Sequence, residues 1–370
     1  MIKFTKTQQV YLILIIAITV LLIIYLFTET QPGDYEITPI SLDEYTLNFS
    51  ISSKDQLLNL TLKYSLNNEE ACKNDNISAL FLVTSYFGNV ETRSSMRQAF
   101  SNEKLNQYGF RRLFLLAEAP MDKYTTQQSI INEHQRFGDI IQGNFTEAYR
   151  NLTYKHVMGL KWASTYCPKA KYVIKMDDDT VVNMYKLKTI LSTLKRIAKR
   201  DFIAGYKLLK MKPIREPANK WYVTENEYAS SFYPTFVSGW FYITNPQTAK
   251  KLSTLANYEK YFWIDDVFVT GILSNKLNTP IYDISKYFTA NSEFLQCCLQ
   301  DFDKDLDCDI YVGPNGGDTN MFYKFNEKVQ KCLLSNKCRT RDKLLNETCV
   351  AERKVNLGRG DSIVSDIKLK

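Results

Sequence analysis

Short apolar runs alternate with amphipathic helical segments through the middle of this chain, from residue 79 to about residue 285. An unbroken apolar run of strand length is typical of a strand buried on both faces. Helical periodicity separates these runs at residues 91–107, 146–165 and 184–198. Alternating strands and helices predict an α/β domain whose mostly parallel sheet is flanked by helices. The predicted strands are Ala79–Val83, Leu113–Leu116, Tyr172–Ile174, Phe202–Ala204 and Phe241–Ile243.

Three consecutive carboxylates, Asp177, Asp178 and Asp179, follow the third predicted strand. In such sheets ligands bind beyond the carboxyl ends of the strands, so this position is a candidate site. Neighbouring negative charges repel one another, and a bound cation relieves the repulsion. Carboxylate oxygens favour hard ions such as Mg²⁺ or Mn²⁺, which leave positions open for phosphate oxygens. The alternative is an acidic helix N-terminus that interacts favourably with the helix dipole.

The N-terminal segment Val10–Phe27 is apolar apart from Thr19, and it carries no charge. Its length just spans the hydrocarbon core of a bilayer. Lys3 and Lys6 precede the segment, and positive charge before a span places the N-terminus in the cytosol. The segment is therefore predicted to be an uncleaved signal anchor of a single-pass type II protein. A cleaved signal peptide is the alternative, but its apolar region would be shorter and end in small residues.

This anchor, together with the α/β pattern, predicts a domain organisation. Sequons at Asn48, Asn59 and Asn76 agree with lumenal exposure beyond the anchor. The predicted segments are a cytosolic tail 1–9, a transmembrane anchor 10–27, a lumenal stem 28–76, a catalytic domain 77–290 and a cysteine-containing extension 291–370.

Charge and cysteine content exclude two classes of function. The net charge is +7, but the basic residues are dispersed, so nucleic acid is not an expected partner. Eight cysteines occur without a C-x-x-C motif, and the chain has two histidines, His134 and His156. Disulfides in an oxidising compartment therefore explain the cysteines better than a zinc site does. The histidines are expected to be packed or surface residues rather than metal ligands.

Seven sequence blocks in a fixed order resemble glycosyltransferase family 31, which includes β-1,3-galactosyltransferases and β-1,3-N-acetylglucosaminyltransferases. The resemblance covers residues 79–285, and the blocks together are far more specific than any one of them. They are Arg93–Gln98, Gly138–Gln142 with Phe145, Tyr149–Lys155, Lys161-Trp162 with Cys167-Pro168, Lys175–Asp179 with Val182-Asn183, Tyr233–Gly239, and Asp265–Val267 with Gly271.

The resemblance implies a GT-A-type nucleotide-sugar-binding fold and inverting transfer from a UDP-sugar. It also implies a divalent cation, usually Mn²⁺, and an acceptor glycan on a glycoprotein or glycolipid. A hexose or N-acetylhexosamine would be transferred, with a β-1,3 linkage as the expected product. The implied location is the Golgi membrane with the catalytic domain in the lumen, in agreement with the predicted anchor.

On this resemblance, Asp177 and Asp179 are assigned to the metal, and Asp178 is placed nearer the donor ribose or sugar. Lys175 is expected to neutralise these carboxylates or the donor diphosphate. The remaining residues assigned to donor binding are Arg93, Arg97, Ser238 and Gly239.

The two arginines lie one helical turn apart, so they share a face. Contact with donor phosphates and surface ion pairs are equally good interpretations of Arg93 and Arg97.

An attacking hydroxyl must lose a proton, so the reaction requires a general base. Asp266 is the predicted base and Asp265 the second candidate, on the resemblance of Asp265–Val267 to the family's acidic block. The alternative is that this pair caps a helix over residues 266–276.

Departures from the family pattern, at Phe100, Val237, Trp240-Phe241 and Asp265, bear on donor and acceptor identity. A catalytically silent glycan-binding or structural protein on the same scaffold is the alternative function.

Overall fold

A computed structural model describes residues 63–73, 76–119, 125–335 and 337–349 of the chain. Its main sheet has eight strands, and two further strands form a small sheet of their own. The strands are β1 Tyr64–Leu66, β2 Ala79–Thr84, β3 Phe110–Glu118, β4 Ile140–Thr146, β5 Tyr172–Asp177, β6 Thr180–Val182, β7 Ile203–Leu208, β8 Phe236–Thr244, β9 Ile281–Asp283 and β10 Val312–Pro314.

Helices cover both faces of the main sheet. A π-helix, Val267–Leu273, continues into the α-helical turn Ser274–Lys276. The α-helices are α1 Val90–Ala99, α2 Asn102–Gln107, α3 Gln127–Phe137, α4 Leu152–Tyr166, α5 Leu187–Ile197, α6 Pro246–Leu255, α7 Ser292–Phe302, α8 Met321–Ser335 and α9 Leu345–Thr348.

The main sheet contains both parallel and antiparallel pairings, in the order β1-β4-β3-β2-β5-β8-β7-β9. Strands β4, β3, β2 and β5 form a parallel block. Strand β8 runs antiparallel to both β5 and β7, and β1 runs antiparallel to β4. Strand β9 runs parallel to β7, so four of the seven pairings are parallel. The prediction of a mostly parallel sheet is confirmed in part, because an apolar run shows that a strand is buried but not in which direction it runs.

Strand β2 shows why the central strands are apolar at every position. All six of its residues are buried. Phe81 and Val83 enter one hydrophobic core, whereas Leu80 and Leu82 enter the core on the opposite face of the sheet. This division follows from the alternation of side chains along a strand.

Two predicted helices have different limits in the structure. The helix predicted at 91–107 is interrupted by Phe100, whose backbone is extended, and Ser101 then caps α2 by accepting a hydrogen bond from the Lys104 N–H. The helix predicted at 146–165 begins only at Leu152, because β4 continues to Thr146. In both cases a break in backbone conformation lies inside one apolar periodic pattern.

The folded domain extends beyond the predicted boundaries at both ends. Strand β1, from the predicted stem, pairs with β4, and a disulfide joins Cys72 to Cys167. The C-terminal extension packs into one of the two cores and contains the remaining disulfides. All eight cysteines are therefore paired, as expected from the sequence, and the C-terminal pairs are Cys297–Cys349, Cys298–Cys308 and Cys332–Cys338.

In the part of the chain that the structure describes, no helix has the length and apolar character needed to cross a membrane. The predicted tail 1–9 and anchor 10–27 lie outside the described residues.

Candidate active site

The three aspartates form the turn between β5 and β6, at the predicted carboxyl end of a buried strand. The Asp178 N–H donates to the Thr84 carbonyl of β2 over 3.1 Å. Asp177 and Asp179 line two adjoining cavities of about 370 and 330 Å³. The turn therefore stands between two spaces that a two-part substrate can occupy.

Asp178 faces the larger cavity and is held by neighbouring polar side chains. Its Oδ2 accepts hydrogen bonds from Ser85 Oγ at 2.7 Å and from Asn89 Nδ2 at 2.9 Å. Burial raises the pKa of Asp178, and these hydrogen bonds oppose that effect. Asn89 directly precedes α1, so the position of this helix is tied to the aspartate turn.

Lys175 is buried and neutralises carboxylates from two elements. Its ammonium donates to Asp177 Oδ1 over 2.7 Å and to the Gly239 carbonyl, and it lies 3.7 Å from Asp265 Oδ2. Burial alone would lower the pKa of Lys175, but Asp177 and Asp265 raise it above its ordinary value. Lys175 therefore remains charged between the two acidic groups.

Asp265 ends a buried hydrogen-bonded chain. Its Oδ2 lies 2.8 Å from His156 Nδ1, and His156 Nε2 lies 2.7 Å from the Tyr242 hydroxyl. Burial raises the pKa of Asp265, but Lys175 and His156 outweigh burial and hold it well below the usual range. Burial lowers the pKa of His156. Lys175 and His156 therefore keep Asp265 ionised, and the hydrogen-bonded chain fixes its orientation.

Asp266 has the opposite electrostatic environment. Burial and the charge of Asp265 raise the pKa of Asp266. Its Oδ2 accepts the Gly239 N–H at 3.1 Å, and its Oδ1 accepts the Val267 N–H at 2.8 Å. The second bond caps the π-helix, so the cap interpretation describes a real contact. Asp266 also lines the smaller cavity, and the two interpretations are therefore compatible.

Arg93 and Arg97 share a face, as their spacing predicts, but they lie inside the protein. Arg93 donates to Glu133 and to the Tyr86 and Phe87 carbonyls. Arg97 pairs with Glu133 and Asp139, and its side chain is 9% exposed. The interpretation as surface ion pairs is corrected, because burial makes this an interior network. The Arg93 guanidinium lies behind the cavity wall, because it donates to Ser85 Oγ and to the Tyr86 carbonyl, and both residues line the larger cavity. Arg97 is linked to Arg93 through Glu133.

Aromatic side chains complete the smaller cavity beside Ser238 and Gly239, and of these the sequence pointed to Trp240 as a departure from the family pattern. Trp221 Nε1 donates to the Tyr149 hydroxyl at 2.9 Å. Trp240 and Trp263 lie along the same cavity. Tyr149 had a signal in the sequence, because it begins one of the blocks shared with the family.

Two buried groups at the larger cavity were also missed. Lys155 pairs with Glu147 at 2.6 Å and donates to the Ser85 carbonyl at 2.7 Å. Thr84 Oγ1 is buried and has no hydrogen-bond partner among the described residues, and its side chain lines both cavities.

The donor chemistry of the aspartate turn fits a hard divalent cation that is shared with a substrate. Within the described ranges, no three His, Cys, Asp or Glu side chains are grouped so as to hold a metal ion by themselves. The carboxylate residues Asp177 and Asp179 both line the smaller cavity. Mg²⁺-like sites use one or two protein carboxylates together with phosphate and water oxygens.

Comparison with known proteins identifies the class of enzyme to which this fold and site belong. A family model described as galactosyltransferase matches residues 91–285. The chain belongs to this family and is a hexosyltransferase, which confirms the resemblance found in the sequence blocks. The chain is similar to β-1,3-galactosyltransferases and to 1,3-N-acetyl-β-D-glucosaminyltransferases.

Two human relatives show the extent of the similarity. β-1,3-Galactosyltransferase 5 is 31% identical over 224 residues, which cover 60% of this chain and 71% of that protein. Lactosylceramide 1,3-N-acetyl-β-D-glucosaminyltransferase is 32% identical, and the match covers 62% of each protein. A solved structure of a galactosyltransferase, LgtC, is 10% identical to this chain, with a TM-score of 0.34. The match covers 68% of this chain and 95% of LgtC. This similarity is too low to support the assignment.

Proposed function

We propose that this chain transfers a hexose or N-acetylhexosamine from a UDP-sugar to an acceptor glycan, with inversion and a β-1,3 linkage, on a GT-A-type fold. One observation carries the proposal: Asp177 and Asp179 line the same cavity as Asp265 and Asp266. Glycosyl transfer needs a group that stabilises the leaving diphosphate and a separate group that accepts the acceptor proton. The two carboxylate pairs supply both at one place.

The larger cavity is proposed to take the nucleotide. Asp177 and Asp179 would hold Mn²⁺ or another divalent cation, which stabilises negative charge on the departing diphosphate when it is bound. Asp178 faces this cavity, where its carboxylate can accept hydrogen bonds from a ribose or sugar hydroxyl. The Thr84 side chain lies at the junction of the two cavities.

The smaller cavity is proposed to hold the reacting sugar and the acceptor, with Asp266 as the base. The acceptor oxygen attacks the anomeric carbon as the bond from that carbon to the diphosphate oxygen breaks, and Asp266 takes the acceptor proton. Asp266 suits this role because its raised pKa makes it the stronger base. Asp265 suits it less, because Lys175 and His156 stabilise its ionised form.

Several predicted donor-binding residues are proposed to act by positioning. Lys175 would hold Asp177 and Asp265 at fixed separation through its ion pairs. Arg93 and Arg97 would support the cavity wall from behind, because Arg93 holds the Tyr86 and Phe87 carbonyls. Ser238 and Gly239 line the smaller cavity and would contact the donor sugar directly.

The proposed setting is the Golgi lumen, with residues 10–27 as a type II membrane anchor. Four disulfides agree with an oxidising compartment. The proposed acceptor is a glycan on a glycoprotein or glycolipid. The names of some relatives include lactosylceramide, which is a glycolipid.

The test uses the full-length chain purified in detergent from a secretory host. UDP-galactose, UDP-N-acetylglucosamine and UDP-N-acetylgalactosamine are supplied separately with Mn²⁺ and a panel of acceptor glycans, and UDP release is measured. Acceptor-dependent release with one donor is expected, and EDTA or Asp179→Ala should abolish it.

Turnover that persists in EDTA or in Asp179→Ala would overturn the metal assignment. Binding of UDP without release for any donor and acceptor would instead favour the silent glycan-binding protein.

A further inference from the structure

Strand β6 continues the aspartate turn, and its pairing partner comes from the C-terminal extension. Strand β10 runs antiparallel to β6, with Val312 opposite Val182 and Pro314 opposite Thr180. Within the described part of the chain, β6 joins β10 and no strand of the main sheet. The segment that follows the candidate metal ligands is therefore held by residues more than 120 positions away in sequence.

Hydrogen bonds extend this pairing into the aspartate turn itself. The Asn315 N–H donates to the Asp179 carbonyl over 2.8 Å, and the Asn183 N–H donates to the Tyr311 carbonyl over 2.7 Å. On the opposite side, the Asp178 N–H is bonded to Thr84 of the main sheet. The turn is thus fixed between the main sheet and the C-terminal extension.

Packing holds β10 close to its neighbours. Val312 is fully buried in the same hydrophobic core as Val181 and Leu295. A Cβ at Gly313 would lie 2.7 Å from Thr289 Cγ2, so glycine is required where β10 passes this residue. The position of β10 is therefore set by close contacts rather than by the ladder alone.

A disulfide fixes the chain just before β10. Cys298 of α7 is bonded to Cys308, three residues before Tyr311. A second bond in the same extension, Cys332–Cys338, closes a short loop at the end of α8. The first bond directly restrains the segment that pairs with β6, whereas the second acts on it only through Arg339, whose backbone pairs with Asp305 and Asp307.

We propose that residues 311–315 are positioning residues of the donor site, which hold the Asp177–Asp179 turn in the geometry that binds a divalent cation with a nucleoside diphosphate. The inference rests on the proposed function. Metal–oxygen distances vary within about 0.2 Å in working sites, so a small shift of the Asp179 backbone weakens the site. The Cys298–Cys308 bond would keep residues 311–315 in place.

The first test compares two substitutions of one residue in the full-length protein. Asn315→Pro removes the N–H bonded to Asp179, whereas Asn315→Ala loses the same side chain but keeps this N–H. Calorimetric titration with UDP in the presence of Mn²⁺ gives the affinity of each variant. We expect the Kd of Asn315→Pro to rise about tenfold, the loss of roughly one neutral hydrogen bond. The Kd of Asn315→Ala, which keeps the N–H and loses only the side-chain bond to the Gly317 N–H, should rise less.

A second pair of variants addresses the case in which Asn315→Pro does not fold, as judged by circular dichroism. Cys298→Ser with Cys308→Ser should raise the Kd for UDP in Mn²⁺. Cys332→Ser with Cys338→Ser should raise it less, although both pairs lower Tm. A purely structural role of the extension would change Tm in both pairs and the Kd in neither.

The outcomes separate this inference from the proposed function. The positioning role is wrong, and the function stands, if the unsubstituted protein transfers sugar while a variant keeps its full affinity for UDP in Mn²⁺. The variants concerned are Asn315→Pro and the double substitution of Cys298 and Cys308. If the unsubstituted protein neither binds UDP with Mn²⁺ nor transfers sugar, the proposed function fails and the positioning role fails with it.

Discussion

Gly239 of β8 lies directly against Asp266 at the start of the π-helix. A Cβ at Gly239 would lie 2.9 Å from Asp266 Cβ, closer than side-chain carbons approach, and the Gly239 N–H donates to Asp266 Oδ2 at 3.1 Å. Asp266, the proposed base, can therefore lie at this position only because Gly239 has no side chain.

The substitution Gly239→Ala is expected to displace Asp266 without preventing folding. A displacement near 1 Å costs on the order of 100-fold in turnover, so kcat should fall by about that factor. Steady-state kinetics measure the effect, with circular dichroism as the check on folding. Ser192→Ala on the exposed side of α5 is the control and should leave kcat unchanged. A fully active Gly239→Ala would show that the close approach is not needed.

The two adjacent aspartates should respond unequally to amide substitution. Asp266→Asn removes the proposed base and should lower kcat by roughly 100- to 10,000-fold, the usual contribution of general base catalysis. Asp265→Asn should cost less, because Asp265 acts through the buried chain with His156. UDP affinity in Mn²⁺, measured by titration, should change little in Asp266→Asn. The assignment is wrong if Asp265→Asn proves the more damaging substitution.

The pH dependence of the reaction should identify the base and its neighbour. Burial and the negative charge of Asp265 raise the pKa of Asp266. Only the ionised carboxylate accepts a proton, so kcat/KM should rise with pH through this pKa, above the ordinary range of aspartate. Asp265→Asn removes the neighbouring charge, lowers the pKa of Asp266 and should move the acidic limb to lower pH. An unchanged limb, or a shift to higher pH, would contradict the arrangement.

The arginine network should matter for stability because its charges are buried. Arg93 and Glu133 have 0% and 7% exposed side chains. Arg93→Met leaves Glu133 with fewer partners, and breaking a buried pair costs about 3–5 kcal/mol. Urea unfolding should show a loss of this order, reduced where Arg97 still pairs with Glu133. Lys195→Met on the exposed side of α5 is the control, and it should change the free energy of unfolding by no more than about 0.5 kcal/mol. Equal effects of the two substitutions would show that the network does not stabilise the fold.

Local patterns predicted five of the eight strands of the main sheet and missed β1, β4 and β9. The predicted strands Ala79–Val83 and Leu113–Leu116 lie within β2 and β3, because continuous apolar runs suit positions buried on both faces. The direction of β8 was not predictable, since strand direction depends on how the long connection from β7 returns. Strands β6 and β10 were missed because their pairing is nonlocal and each is three residues long.

The site was predicted only in part, for the same reason. The aspartate turn was found because it follows a buried strand. His156 was interpreted as a packed residue, and its partner Asp265 lies 109 residues away. Arg93 and Arg97 were placed on one face by helical spacing, but spacing does not tell what that face contacts. The metal and base assignments stay predictions until the variants are measured.

The sequence by itself determined the family, the apolar strand that ends at Asp177, and the presence of two acidic clusters. Only the tertiary structure decided how Asp265 and Asp266 differ, although they are adjacent and chemically identical. Folding places Lys175 and His156 against Asp265 and stabilises its charge. It leaves Asp266 buried beside that charge, which disfavours ionisation. A pKa is set by burial and by nearby charges, and these arise from contacts between distant parts of the chain.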